Sequence, residues 1–212
     1  MKKIKFAIIG NPISHSLSPT MHNYWFDKYN IKAEYELLNT EESEIQNVID
    51  KIKDKEIKGI NVTLPYKKTV IPFLSKIIND AKETHSVNTI ILDDHRNLIG
   101  ENTDVFGFQA AYLKSIPRQE KKSKKVLILG AGGVAPSIIY ALLKSNILDI
   151  SLSNRTHERS LFIKKNFKGI NIINWNDFSK YLYKFDIVIN ATSLGLKPSD
   201  EFQNDFSNFK KN

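Results

Sequence analysis

The sequence predicts an α/β protein, because short apolar runs rich in β-branched residues alternate with longer amphipathic stretches. This alternation is typical of βαβ units and of a parallel sheet. Turns rich in glycine or proline follow several of the apolar runs, as expected where strands pass into helices. The predicted strands cover residues 6–10, 34–38, 59–63, 89–93, 126–130, 150–153, 170–173 and 187–190.

Helices fill most of the intervals between the predicted strands. Ser18 followed by Pro19 resembles an N-cap with proline in the first turn, and predicts a helix through about Tyr29. A second helix is predicted over residues 41–53. A polar, basic stretch at residues 115–125 separates two α/β patterns, and a helix starting at Thr103 can connect them. We therefore expect two domains, 1–104 and 105–212.

Composition excludes several classes of protein. The 212 residues are 41% hydrophobic, enough to bury a substantial core. No run approaches the roughly 18 apolar residues that cross a bilayer, and the absence of cysteine excludes disulfides and thiolate metal sites. The apolar part of MKKIKFAIIG is too short for a secretory signal, so we expect a cytoplasmic protein. The net charge of +8 is scattered along the chain, which argues against nucleic-acid binding.

A glycine-rich turn lies between an apolar strand and a helix in KKVLILGAGGVAPSIIYALLKSN. Gly130 permits the tight turn, Gly132 allows close approach to a pyrophosphate, and Ala135 is small enough for close packing of the helix on the strand. The phosphates would lie at the positive N-terminus of the helix. The motif predicts a Rossmann-like, doubly wound dinucleotide-binding domain, with cofactor contacts from Gly130, Ala131, Gly132, Gly133, Val134 and Ala135.

The end of the next predicted strand indicates which dinucleotide is bound. Folds that prefer NAD carry an acidic residue there for the ribose, whereas this chain has Asn154 followed by Arg155. Arg155 can pair with an anionic 2′-phosphate and stack on adenine, Thr156 can donate a hydroxyl, and Arg159 lies one turn along the helix. We therefore expect NADP(H) rather than NAD as the cofactor.

Polar loops that follow the N-terminal strands predict a second ligand site, since open α/β folds bind ligands at the carboxyl ends of strands. In GNPISHSLSPTMHN, Ser16 and Ser18 can donate hydrogen bonds to a carboxylate. Lys67 follows another strand in INVTLPYKK, and SVNTI and GENTDVFGF supply Asn88 and Asp104. We expect no metal site, because the two histidines of the first loop have no acidic third ligand.

Taken in order, GNPISHSLSP, NVTLPYK, SVNT with ENTD, and GAGG with NRT resemble the shikimate dehydrogenase family over essentially the whole chain. The resemblance implies reversible reduction of 3-dehydroshikimate to shikimate with NADPH, in the route to chorismate and the aromatic amino acids. It implies that Ser16 and Ser18 hold the substrate carboxylate, while Thr63, Lys67, Asn88 and Asp104 contact ring hydroxyls. Lys67 and Asp104 would form the catalytic pair.

The chain resembles the family up to the segment ATSLGLKPSDE, which matches the loop near the nicotinamide and adds Thr192 to the cofactor residues. The resemblance implies further strands and a returning helix beyond this point, so we expect an incomplete second domain. The residues leave open a quinate/shikimate dehydrogenase of broader specificity and a non-catalytic protein that binds a shikimate-like ligand. They also leave open a homodimer.

Overall fold

A computed structural model describes residues 3–195 and 203–209, and backbone contacts divide the chain into two compact units. The first unit is Met1–Thr103 and the second is Asp104–Asn212. Each unit has its own buried apolar clusters. Among the described residues, every helix is too short or too polar to span a membrane.

The described part of the first unit contains a six-stranded mixed sheet in the order β2-β1-β3-β5-β6-β4. Strand β1 pairs in parallel with β2 and β3, whereas β5 is antiparallel to both of its neighbours. The strands are β1 (Ile4–Gly10), β2 (Ala33–Asn39), β3 (Gly59–Val62), β4 (Lys76–Ile77), β5 (Thr89–Leu92) and β6 (Leu98–Glu101). The helices are α1 (Ser18–Lys28), α2 (Ile45–Lys53) and α3 (Asp80–Thr84), with 3-10 turns at Glu42–Glu44 and Ile71–Phe73.

The expectation of a parallel sheet is wrong for part of this unit, because β5 and β6 form a hairpin. The connection is too short for a parallel crossover, which needs a dozen or more residues. Within it, the Asn97 N–H donates to the Asp93 carboxylate at 2.8 Å, and Arg96 has a left-handed φ of 62°. Strands β4 and β6 were not predicted: β4 has two residues, and Gly100 interrupts the apolar pattern of β6.

The predicted helices are present with shifted starts. Helix α1 begins at Ser18 after Leu17 as the capping residue, so the expectation that Ser18 itself is the N-cap is wrong by one residue. The helix predicted from residue 41 begins as a 3-10 turn, and α2 follows from Ile45. Helix α2 buries Ile45, Val48, Ile49 and Ile52, which recur at the spacing of one helical face.

The described part of the second unit contains a four-stranded sheet that is parallel throughout, in the order β10-β7-β8-β9. Its strands are β7 (Lys125–Leu129), β8 (Asp149–Asn154), β9 (Asn171–Asn174) and β10 (Ile187–Asn190). Its helices are α4 (Asp104–Ala111), α5 (Arg118–Lys121), α6 (Ala135–Lys144) and α7 (His157–Asn166), with 3-10 turns at Leu113–Ser115 and Phe178–Lys184. The predicted helix at Thr103 therefore begins one residue later, and the basic stretch at 115–125 contains the short α5.

The core of this unit lies on both faces of the sheet, as a doubly wound arrangement requires. On one face, Ile139 and Leu142 of α6 pack with Val126 and Ile128 of β7. On the other, Leu127 and Leu129 pack with Phe178, Leu182 and Phe185 in and after the 3-10 turn, and Phe209 joins this cluster. The alternation along β7 explains why Val126–Leu129 are all apolar, since both faces of the strand are covered there.

Candidate active site

The loops that follow β1 and β3 lie side by side at the carboxyl ends of these parallel strands. The Thr63 N–H donates to the Ile9 carbonyl at 2.9 Å, and the Asn11 N–H donates to the Leu64 carbonyl at 3.1 Å. A Cβ on Gly10 would lie 2.6 Å from Thr63 Cγ2 and 2.9 Å from the Leu64 carbonyl oxygen. Glycine at this position therefore permits the close approach that brings the two loops together.

Ser16 and Ser18 lie where the first loop enters α1. The Ser16 N–H closes a turn onto the Ile13 carbonyl at 2.9 Å, and the Ser18 N–H donates to Ser16 Oγ at 3.3 Å. The Ser16 hydroxyl accepts this bond and so keeps its own proton for donation. Both serines are half-buried. The loop thus places two hydroxyl groups at the start of one helix.

Lys67 is held through its main chain. The preceding Tyr66 is buried, donates its hydroxyl to the Thr40 carbonyl at 2.7 Å, and closes a turn with its N–H on the Thr63 carbonyl at 2.9 Å. Burial raises the pKa of the Tyr66 phenol, which keeps it a hydrogen-bond donor. The Lys67 carbonyl accepts a bond from the Val87 N–H at 2.8 Å. These contacts fix the segment Thr63–Lys67 against the start of β5.

Asn88 connects three segments of the first unit. Its backbone carbonyl accepts from the Val62 N–H at 2.8 Å, and its N–H donates to the Glu101 carbonyl at 3.0 Å. Its side-chain oxygen accepts from the Thr103 N–H at 3.0 Å, and its amide nitrogen donates to Thr103 Oγ1 at 2.9 Å. The structure therefore brings Thr63, Lys67 and Asn88 into one backbone network.

Asp104 follows Thr103 directly and is the first residue of α4, where its carboxylate is favoured by the helix dipole. It is half-buried and belongs to the second unit. The neighbouring Asn102 is buried, and its amide donates to the Ser86 carbonyl at 2.7 Å and to Thr84 Oγ1 at 3.3 Å. Asn102 is therefore a structural residue of the first unit.

The glycine-rich turn of the second unit lies between β7 and α6, as the motif predicts. Gly130 has φ of +108°, and a Cβ there would lie 2.7 Å from the Ala191 carbonyl oxygen. Around Gly132 the space is open, because its Cβ would meet only the Ala191 oxygen at 3.9 Å. Ala135 is fully buried, with Pro136 in the first turn of α6. This geometry fits a pyrophosphate at the N-terminus of α6.

Asn154, predicted as a cofactor residue, contacts two backbone groups of the second unit. Its side-chain oxygen accepts the Ala131 N–H at 2.9 Å, and its amide donates to the Thr156 carbonyl at 2.8 Å. Asn154 thus joins the glycine-rich turn to the segment after β8 and occupies the Ala131 N–H. Arg155, Thr156 and Arg159 are exposed beyond it, available to an anionic group.

Thr192 follows β10 in a tight turn. Its hydroxyl donates to Asn190 Oδ1 at 2.6 Å and accepts from the Leu194 N–H at 3.0 Å. Its methyl group would lie 2.9 Å from a Cβ on Gly130, so the turn adjoins the glycine-rich turn. Residues 196–201 of the predicted nicotinamide loop lie outside the described residues.

No cluster of metal-ligating side chains forms within residues 3–195 and 203–209. Of the two histidines in the first loop, His15 is exposed, whereas His22 stacks on Tyr35 with ring centroids 4.3 Å apart. Burial lowers the pKa of His22 below its ordinary value of 6.5. The structure thus gives His22 a packing role in α1.

Sequence reasoning missed Tyr35, Asn61 and Tyr66, which support the site from inside the sheet. Tyr35 donates its hydroxyl to Asn61 Oδ1 at 2.6 Å, and the Asn61 amide donates to the Asn88 carbonyl at 3.2 Å. One signal was present, because Asn61 is a polar residue inside the apolar strand GINV. A half-buried amide inside a sheet needs partners, although the sequence does not say which.

The two units match models of the two parts of one protein family. Residues 8–90 match the shikimate dehydrogenase substrate binding domain, and residues 113–196 match shikimate/quinate 5-dehydrogenase. A relative from Pelagibacter ubique, "Shikimate dehydrogenase (NADP(+))", is 47% identical over 211 residues, which cover 100% of this chain and 77% of the relative.

Solved structures give the same result. Shikimate dehydrogenase from Aquifex aeolicus has a TM-score of 0.89 and 32% identity, with 98% of this chain and 76% of that chain covered. The Thermus thermophilus enzyme, solved in complex with NADP(H) and shikimate, has a TM-score of 0.83 and 28% identity, with coverage of 97% and 75%.

Fold and site together define a two-unit α/β protein of the dehydrogenase class, with a mixed-sheet unit followed by a Rossmann-like unit. The extent and identity of the match to its relatives place it further. The chain belongs to the shikimate dehydrogenase family.

Proposed function

We propose that this protein catalyses the reversible, NADP-linked interconversion of 3-dehydroshikimate and shikimate. The observation that carries the proposal is the network that fixes Thr63, Lys67 and Asn88 together at the strand ends of the first unit. Relatives named shikimate dehydrogenase (NADP(+)) and a relative solved with NADP(H) and shikimate support this choice of ligands.

In this proposal residues 1–104 bind the substrate. Ser16 and Ser18 donate hydroxyl hydrogen bonds to the carboxylate, which suits two hydroxyls at the start of α1. Thr63 and Asn88 contact ring hydroxyls from the ends of neighbouring strands. Asp104 contacts a further hydroxyl, so residues 1–104 supply the substrate contacts.

Lys67 and Asp104 are the proposed catalytic pair. Conversion of the ketone to the alcohol develops negative charge on the substrate oxygen, and a lysine ammonium can neutralise that charge and protonate the oxygen. In the reverse direction, Lys67 accepts the hydroxyl proton. The Asp104 carboxylate orients the ammonium toward the reacting oxygen.

Residues 105–212 are the proposed NADP(H)-binding domain. When bound, NADP(H) supplies or accepts the hydride. The turn Gly130–Ala135 would hold the pyrophosphate at the N-terminus of α6, where backbone N–H groups and the helix dipole favour an anion. Arg155, Thr156 and Arg159 would hold the 2′-phosphate, and Thr192 would lie near the nicotinamide. The proposed partners are small molecules, and the proposed location is the cytoplasm.

The test is reduction of NADP and of NAD by the 212-residue chain, with shikimate and separately with quinate as the alcohol. The proposal predicts NADPH formation that depends on shikimate, with NADP preferred over NAD. Comparable rates with quinate would instead indicate a quinate/shikimate dehydrogenase. Shikimate binding without any turnover, measured by calorimetry, would overturn the proposal in favour of a binding protein.

A further inference from the structure

Tyr35 is a buried residue whose backbone N–H, backbone carbonyl and hydroxyl group all have hydrogen-bond partners. Only 6% of its surface is exposed. The side chain of Asn23 in α1 bonds to both backbone groups of Tyr35. Its Oδ1 accepts from the Tyr35 N–H at 2.9 Å, and its Nδ2 donates to the Tyr35 carbonyl at 3.0 Å. The His22 ring lies parallel to the phenol ring within 11°. The direction of the phenol is therefore fixed from α1.

The Tyr35 hydroxyl determines how the Asn61 side chain is oriented. It donates to Asn61 Oδ1 at 2.6 Å, which leaves the amide nitrogen of Asn61 facing β5. That nitrogen donates to the Asn88 carbonyl and to Thr89 Oγ1, each at 3.2 Å. If the amide rotated by half a turn, its oxygen would face the Asn88 carbonyl, and two acceptors would oppose each other.

The network continues from Asn61 to both groups of the Asn88 side chain. Thr89 Oγ1, which accepts from Asn61, donates to Asn88 Oδ1 at 3.0 Å. Asn88 then contacts Thr103 through its amide nitrogen at 2.9 Å. A continuous series of hydrogen bonds thus runs from the phenol of Tyr35 in β2, through Asn61 in β3, to Asn88 and Thr103.

We infer that Tyr35 is a positioning residue for substrate binding, acting through Asn61 on Asn88. The inference rests on the proposed function, in which Asn88 contacts a ring hydroxyl. Burial also raises the pKa of the phenol, so Tyr35 stays protonated and remains a donor across the neutral range. The alternative is that the phenol only stabilises the fold of β2.

The test is a double-mutant cycle on shikimate affinity, measured by calorimetry on the 212-residue chain. Tyr35→Phe removes the hydroxyl and retains the ring, and leaves Asn61 Oδ1 without its donor. We expect shikimate affinity to fall about tenfold in this variant, the size of effect of one lost buried hydrogen bond. In an Asn88→Ala background, Tyr35→Phe should have little further effect, because the residue that it positions is absent. Tyr24→Phe, an exposed tyrosine on α1, is the control.

A merely structural role would lower affinity equally in both backgrounds, and that result would overturn the inference. Asn61→Asp is the second variant, since it retains the oxygen that accepts from Tyr35 and loses the donor to Asn88. It should weaken binding through Asn88 in the same way. An unchanged affinity in Asn61→Asp would also contradict the inference.

A measurement on the protein without ligand separates this inference from the proposed function. In NMR spectra, Tyr35→Phe should shift the Asn88 side-chain amide and the Thr103 N–H and speed their hydrogen exchange, whereas Tyr24→Phe should not. If wild-type protein binds no shikimate but these changes occur, the proposed function fails and the positional coupling holds. If the Asn88 signals do not change, the inference fails whatever the protein binds.

Discussion

The residues of the site are fixed mainly through their backbones. The Lys67 carbonyl accepts from Val87, and the Asn88 backbone bonds to both Val62 and Glu101. Substitutions of these side chains therefore leave the hydrogen bonds that hold their segments in place. We expect such substitutions to change ligand binding or turnover more than stability.

Arg155 should determine the preference for NADP over NAD. It is exposed after β8, where an anionic 2′-phosphate would lie at the end of a doubly wound strand. Arg155→Ala removes a charge-assisted hydrogen bond of about 1.5–3 kcal/mol, so NADP affinity should fall by about 10- to 100-fold while NAD affinity changes little. The measurement is titration with both dinucleotides. Arg118→Ala on α5 is the matched control, and an unchanged ratio in Arg155→Ala would refute this role.

His22 should make the folded state less stable in mild acid. Burial lowers its pKa below the ordinary 6.5, so below that pH the unfolded chain binds the proton more readily than the folded chain. Stability therefore falls as the pH decreases from 6.5 toward the folded-state pKa, and His22 makes no contribution above that window. Urea unfolding at pH 7.5 and 5.5 measures the effect. His22→Phe keeps a ring against Tyr35 and should show a smaller loss between these pH values; an equal loss would exclude His22 as a cause.

At the residue scale, the sequence identified the side chains of the motifs but not their supports. Ser16 and Lys67 stand out because they follow strands in polar loops, and Asn88 stands out because it precedes a strand in the motif SVNT. Tyr35 lies in a strand where an aromatic residue is ordinary, and only the pairing of β1 with both β2 and β3 brings it next to Asn61. Contacts between residues 26 positions apart depend on sheet order, which the pattern of one sequence does not specify.

At the scale of elements, the turn between β7 and α6 requires glycine at position 130 for two reasons, and only the first of them applies to Gly169 elsewhere in the chain. Gly130 needs a positive φ and also has the Ala191 carbonyl in the direction of a Cβ, whereas Gly169 has φ of +97° and open space. Gly169→Ala should therefore report only the backbone cost, about 1 kcal/mol. Gly130→Ala should cost about 1–3 kcal/mol more because of the added contact.

Denaturant unfolding of the two glycine variants measures this difference, and dinucleotide titration measures its consequence. We expect Gly130→Ala to weaken NADP binding and Gly169→Ala to leave it unchanged, since only the first changes the turn before α6. Equal losses of stability in the two variants would show that the contact with Ala191 is relieved by a small movement.

Most strands were predictable because their apolar runs are continuous, and the predicted ends of these strands lie within two residues of the ends in the structure. The hairpin β5–β6 was not, since a four-residue strand with a glycine has a weak pattern and the turn Asp93–Asn97 contains no Asn-Gly or Asp-Gly pair. The two-residue β4 is held by its pairing with β6 and has no sequence pattern of its own.

At the scale of the whole molecule, the order of the motifs carried more information than any single motif. A glycine-rich turn alone indicates a nucleotide site, but four motifs in order identified the family that the comparisons then showed. The chain spans about three quarters of the length of its curated and solved relatives. The described residues of each unit form their own buried core, and both proposed ligand sites can be tested on this chain.

The most direct test is shikimate-dependent reduction of NADP by the wild-type chain and by Lys67→Ala. Loss of a general acid or base costs about 10²- to 10⁴-fold in turnover, so we expect Lys67→Ala to reduce the rate by at least 100-fold. Its NADP affinity should stay within about twofold of wild type, because Lys67 is not one of the proposed cofactor residues. Two results would contradict the proposed mechanism. One is a Lys67→Ala variant that turns over at the wild-type rate, and the other is a wild-type chain that forms no NADPH in the presence of shikimate.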